Sequence, residues 1–190
     1  MTHRGTWLAL ALFATVLVRP CARANEAAGP TAGAALRAIA GFLAPGGYFL
    51  TGRRARDAFG GSKWAGEMSL HGRAKRAGVF VVSGGFDRLG VSDRYLPFSG
   101  GNEFTLTGAG IRITTAERTG RVRPTLTAGL YAGHVRCDAL NLATTQLVPS
   151  ASLGAEWRVC KNVSLSASYR VSTPIGGLSL DGFGVFLKLF

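Results

Sequence analysis

From Asn162 to Ser172 the chain reads NVSLSASYRVS, and every second residue is apolar: Val163, Leu165, Ala167, Tyr169 and Val171. Ser164, Ser166, Ser168, Arg170 and Ser172 lie between them. A period of two belongs to a strand with one apolar face and one polar face. The same period recurs along most of the chain. In KWAGEMSLHGR, Trp64, Gly66, Met68 and Leu70 oppose Lys63, Ala65, Glu67, Ser69 and His71. In VRPTLTAGLYAG, Val122, Leu126 and Leu130 alternate with Arg123, Thr125, Thr127 and Tyr131. In QLVPSASLGAEWRV, Leu147, Leu153, Trp157 and Val159 alternate with Ser150, Ser152, Glu156 and Arg158.

Four further segments complete the count. GGYFLTGRR supplies a first strand, AGVFVVSGGFDR another, and LDGFGVFLKLF the last. EFTLTGAGIRITTA changes phase: Phe104 and Leu106 are followed by Ala109, Ile111 and Ile113, which predicts a bulge at Gly108-Ala109. The total is eight strands. RAKR, AERTG and CKN read as short polar turns, LGVSDRYLPFSGG and CDALNLATT as longer loops. An even number of alternating segments, with short turns at one end and longer loops at the other, predicts a closed up-and-down barrel.

The start of the chain gives its destination. Arg4 precedes an apolar run from Trp7 to Val18, and Ala22-Arg23-Ala24 forms an A-x-A cleavage site. Residues 1–24 therefore read as a secretory signal peptide. Residues 25–45 are rich in Ala and Gly and read as a periplasmic leader or short helix, with the barrel over 46–190. Beyond the leader no apolar run is long enough for a membrane helix. Yet 47% of residues are hydrophobic and only 17% charged. A closed barrel is the one helix-free way to cross a bilayer, because it pairs every backbone group.

The formal net charge of +12 falls by three when Arg4, Arg19 and Arg23 leave with the leader. The remaining basic residues are scattered and without an aromatic platform, which argues against nucleic acid and suits the phosphates of lipids. Cys137 and Cys160 are expected at opposite ends of one hairpin, too far apart to bridge.

Which face is wet decides between two barrels. A soluble carrier barrel keeps large apolar side chains inside; a membrane barrel turns them to lipid. The polar faces here carry mainly Ser, Thr and Gly, which suit a narrow interior. Trp64 and Tyr169 fall near one rim and Trp157 near the other, as an aromatic girdle requires. Glu67, Arg123, Glu156, Arg158 and Arg170 all fall on the inner face, where opposite charges would pair and fill the lumen. Glu156 is expected to accept from an arginine among Arg123, Arg158 and Arg170.

On these features the chain resembles the small outer-membrane β-barrels of the OmpA/OmpX type from Gram-negative bacteria. The leader, the TAGLYAG, ASLGAEW and SLSASYRV strands and the terminal Phe190 carry the resemblance, which covers roughly residues 46–190. It implies an all-β, eight-stranded antiparallel transmembrane barrel in the bacterial outer membrane. It further implies contact with outer-membrane lipids and lipopolysaccharide, and a terminal aromatic, Phe190, read by the barrel-assembly machinery. Lys188 interrupts the usual apolar alternation before that residue, and Phe183, Val185, Leu187 and Leu189 form the apolar phase instead.

Catalysis finds little support. A lipid A deacylase of this size carries Ser two residues after its His, but His71 stands in HGR and His134 in HVR. No clustered metal ligands and no phosphate loop are visible, so no cofactor is expected. The expected protein is a non-enzymatic, monomeric, porin-like barrel of the cell envelope with a filled lumen. A lipid A-modifying enzyme and a secreted lipocalin-like carrier are the alternatives.

Overall fold

The computed structural model describes residues 44–72, 74–93, 102–115, 121–160 and 163–189. The signal peptide, residues 25–43 and Phe190 lie outside the described residues.

The described residues form nine strands: β1 (Ala44–Leu50), β2 (Ser62–His71), β3 (Lys75–Ala77), β4 (Phe80–Ser92), β5 (Glu103–Thr115), β6 (Val122–Cys137), β7 (Leu142–Cys160), β8 (Val163–Ser172) and β9 (Gly182–Leu189). Eight of them close an antiparallel barrel, with β2 joined to β4 and β1 to β9. The short β3 takes over from β2 beside β4, from Lys75↔Val82 to Ala77↔Phe80.

The wall is inverted relative to a soluble barrel. Ile111, Leu126, Leu130, Leu153, Trp157 and Phe183 point outward and are 41–65% exposed. Apolar side chains on the outside of a closed barrel are the mark of the outer-membrane type, because the surrounding solvent is lipid.

The interior has two zones, and this corrects the reading of β5. Its register runs without a break from Phe80↔Thr115 to Ser92↔Glu103 against β4, and equally against β6, so there is no bulge at Gly108-Ala109. Phe104 and Leu106 face inward with no exposure, whereas Ile111 faces outward. The apolar phase changes along the sequence because the lumen changes from apolar to polar along its axis. The register shift that does occur lies between Arg158 and Cys160, at the end of β7.

The strand ends Leu50 and Ser62, Ser92 and Glu103, Cys137 and Leu142, and Ser172 and Gly182 lie at one end of the barrel, here called the loop end. The strand ends His71 and Phe80, Thr115 and Val122, and Cys160 and Val163 lie at the other, the turn end. Three loop-end segments differ from expectation. The first four residues of LGVSDRYLPFSGG, Leu89–Ser92, continue β4 in register with β5 and are not part of a loop. CDALNLATT is mostly strand: β6 and β7 stay paired up to Cys137↔Leu142, and only 138–141 turn, with Asn141 left-handed at φ 48°. RRARDAF forms a short helix, α1 (Arg53–Phe59), ended by Gly60 at φ 84°. Ala55 and Phe59, four residues apart, share its buried side, while Arg53, Arg54 and Arg56 are exposed.

Candidate functional site: the barrel lumen

The loop-end half of the lumen is an apolar core. Tyr48 from β1, Leu89 and Val91 from β4, Phe104 and Leu106 from β5, and Val135 from β6 are all at most 2% exposed. Helix α1 lowers Phe59 onto Phe104, ring centroids 6.1 Å apart and nearly perpendicular. Tyr48 meets the same ring edge-on at 5.6 Å, and its hydroxyl donates to the Leu180 carbonyl at 3.0 Å.

The β8–β9 connection enters the mouth from the other side. Ile175 and Leu178 exchange backbone hydrogen bonds of 3.0 Å around Gly176 and Gly177, whose φ values of 57° and 78° fit a two-residue hairpin turn. Ile175, Leu178 and Leu180 are buried. Gly133 on β6 permits this: a Cβ there would strike the Ile175 Cδ1. Asp181 fastens the loop, accepting from the Ser172 amide at 2.8 Å and the Ser179 hydroxyl at 2.9 Å.

The turn-end half is polar. Glu67 on β2 receives the Lys188 ammonium of β9 at 3.0 Å, with Arg170 of β8 at 3.9 Å. Glu156 receives Arg112 at 3.4 Å and the Ser164 hydroxyl at 3.0 Å. His71 Nε2 lies 3.0 Å from Asp87 Oδ1. Tyr131 stands at the boundary between the zones: its hydroxyl donates to Asp87 at 3.5 Å, and the Arg170 guanidinium lies 5.5 Å from its ring centroid. The cavity left among Glu67, His71, Asp87, Arg112, Arg170 and Lys188 measures ≈ 20 Å³, room for about one water.

Of the residues placed on the inner face by the sequence, the structure brings some together and not others. Glu67 and Arg170 come together. Glu156 pairs with Arg112, not with Arg123, Arg158 or Arg170, because Arg112 is aimed inward by the unbroken register of β5. Arg123 stands beside Glu156 in register, and Arg158 is exposed at the turn-end rim. Lys188, Arg112, Asp87 and His71 complete the network. Asp87 on β4 is 4% exposed and faces inward, two positions before the buried Leu89. Trp64 and Tyr169 lie outward toward the loop end and Trp157 toward the turn end, each partly exposed. Tyr169 also reaches the Thr51 hydroxyl at 3.1 Å. In β9, Phe183 is outward and Phe186 is buried, which fixes the facing of that strand and puts Lys188 in the lumen. Cys137 and Cys160 are free, Cys137 buried at the loop end and Cys160 exposed at the turn end.

No protein-family model matches the chain, and no curated protein matches it. Among solved structures it is similar to neisserial surface protein A, at 17% identity over 77% of this chain and 93% of that one, with a TM-score of 0.40. It is also similar to the Yersinia pestis outer membrane protein Ail, solved in phospholipid bilayer nanodiscs, at 11% identity over 78% and 98%, with a TM-score of 0.37.

Proposed function

We propose that this protein is an integral outer-membrane barrel with a closed lumen, a monomeric membrane scaffold that works through its surface and not through a pore or an active site. The observation that carries this is the loop-end core: α1 and the Ile175–Leu178 turn bury Phe59, Ile175 and Leu178 among wall residues, as in a soluble domain. The ion pairs of the turn-end half add a second closure. An eight-stranded barrel has interior space only for side chains. The loop end is read as the cell exterior, since outer-membrane barrels keep their short turns on the periplasmic side. The exposed Arg53, Arg54 and Arg56 of α1 then stand where lipopolysaccharide phosphates lie, and charge-assisted pairing with phosphate is their natural role.

Planar-bilayer recording tests the closed lumen. Purified protein is expected to give no large, steady current. Stable porin-sized conductance from the unmodified chain would overturn the reading.

A further inference from the structure

Two of the cations expected in the lumen network stand outside it. Arg123 faces Glu156 across the β6–β7 ladder. Both carboxylate oxygens of Glu156 are taken, however, Oε2 by Arg112 and Oε1 by the Ser164 hydroxyl. Arg158 lies two residues beyond Glu156 on the same face of β7. Arg121, one residue before β6, stands opposite Arg158, because the ladder continues there: the Arg158 amide donates to the Arg121 carbonyl at 2.8 Å. Between them Val122 and Trp157 form an outward pair, 57% and 46% exposed. Arg121, Arg123 and Arg158 therefore share the inner side of the wall at the turn-end mouth. Arg121 and Arg158 are exposed and Arg123 is half-buried.

The spacing is tight. Opposed residues of antiparallel strands hold their Cβ atoms about 5 Å apart, and diagonal neighbours lie about 7–8 Å apart. Arg121 and Arg158 are an opposed pair, and Arg123 is diagonal to Arg158. Like charges directly opposite each other destabilise a sheet. Among the described residues, the carboxylates of Glu67, Asp87, Glu156 and Asp138 go to other cations. The intervening sequence does not offset the excess: 116–120 carries one acid and one base, Glu117 and Arg118, and 161–162 adds Lys161. Trp157 sets the depth, since amphipathic rings on the outer face sit at the level of the headgroups. Arg158 follows it directly.

We infer that Arg121, Arg123 and Arg158 form a binding site for a phosphate group at the turn-end mouth. A guanidinium presents a planar fork of donors that matches phosphate oxygens two at a time. An anion held among the three turns their mutual repulsion into attraction, and Glu156 keeps Arg112 while it binds. The phosphate is carried by a lipid headgroup at the rim or is free in solution. The site is the same whichever leaflet the turn end meets.

The test uses the full mature chain folded in phosphatidylcholine nanodiscs, in a chloride buffer free of phosphate. One arm adds inorganic phosphate, and the other replaces part of the lipid with phosphatidylglycerol. Amide chemical shifts of Arg121, Arg123 and Arg158 are expected to move in at least one arm. Movement with inorganic phosphate assigns a free anion, and movement with phosphatidylglycerol alone assigns a headgroup. Arg123→Gln with Arg158→Gln is expected to raise the concentration giving half the shift at Arg121 about tenfold, since two of three forks are gone. Arg121→Gln, an exposed change ahead of the ladder, should weaken the response at Arg158 while leaving the wall intact. Arg76→Gln, on β3 at the same end, should leave it unchanged. No movement in either arm would overturn the inference. So would equal weakening by Arg76→Gln, which would reveal only the general positive field of the turn end.

Discussion

Glu67 is the residue on which the polar half of the lumen converges. Its side chain is 14% exposed and faces two cations, Lys188 at 13% and Arg170 at 6%. Removing one member of a buried ion pair leaves the other without compensation, at a cost of about 3–5 kcal/mol. Glu67→Gln is therefore expected to lower the urea midpoint of the folded barrel in vesicles. Adding Lys188→Met to Glu67→Gln should restore part of that loss, because two charges then leave together. A double variant no more stable than the single one would show that Lys188 is not the partner that matters. On the other face, Leu153 is 65% exposed on the outside of the wall. Leu153→Arg is expected to cost about 2–4 kcal/mol if that residue sits near the bilayer midplane, while Leu153→Phe should be nearly neutral by the same unfolding measurement. Lys188 itself shows why a residue can mislead on first reading. In the sequence it breaks the alternation expected of a terminal strand. In the barrel it is an inward charge with a carboxylate waiting for it, and no local pattern names a partner more than a hundred positions away.

At the scale of elements, the strands were legible and the plug was not. Alternation is dictated by two solvents on the two sides of a wall, so it survives in β2, β6, β7 and β8 whatever the fold does elsewhere. The phase change in β5 was visible too, but its cause was not local: Phe104 faces a core built by α1 and the β8–β9 turn, which no window of β5 contains. Helix α1 has seven residues, too short to be stable alone, and its helicity comes from packing Ala55 and Phe59 into the barrel mouth. Its attachment through Phe59 makes a specific prediction. Phe59→Ala empties a fully buried aromatic site, a change that costs about 3–5 kcal/mol in cores, and α1 should detach while the wall remains paired. Trypsin added to reconstituted protein should then cut after Arg53, Arg54 or Arg56, with the parent chain resisting at the same dose. Resistance in both would mean that Ala55 and the flanking Gly52 and Gly60 hold the helix without Phe59.

For the whole molecule, the arrangement of its ends follows from chain topology. An even number of wall strands returns the last strand to the end where the first began, so β1 starts and β9 finishes at the turn end. The turns at that end are short, and α1 and the β8–β9 connection stand at the other; on the proposed reading this puts the apolar plug outward and the ion-pair network inward. The free cysteines report this directly. β7 has 19 residues from Leu142 to Cys160, and Cys137 is the neighbour on β6 of Leu142, so the two thiols lie roughly 60 Å apart measured along the strand. Cys160 is exposed at the turn end and Cys137 is buried in the plug. A membrane-impermeant maleimide applied to intact cells is expected to modify neither thiol. Applied after the outer membrane is made permeable, it should modify Cys160 alone, and Cys137 should react only once the barrel is unfolded. Asp57→Cys, on the exposed side of α1, should instead be labelled on intact cells. Labelling of Cys160 from outside, with Asp57→Cys protected, would reverse the orientation and place the arginines of α1 in the periplasm.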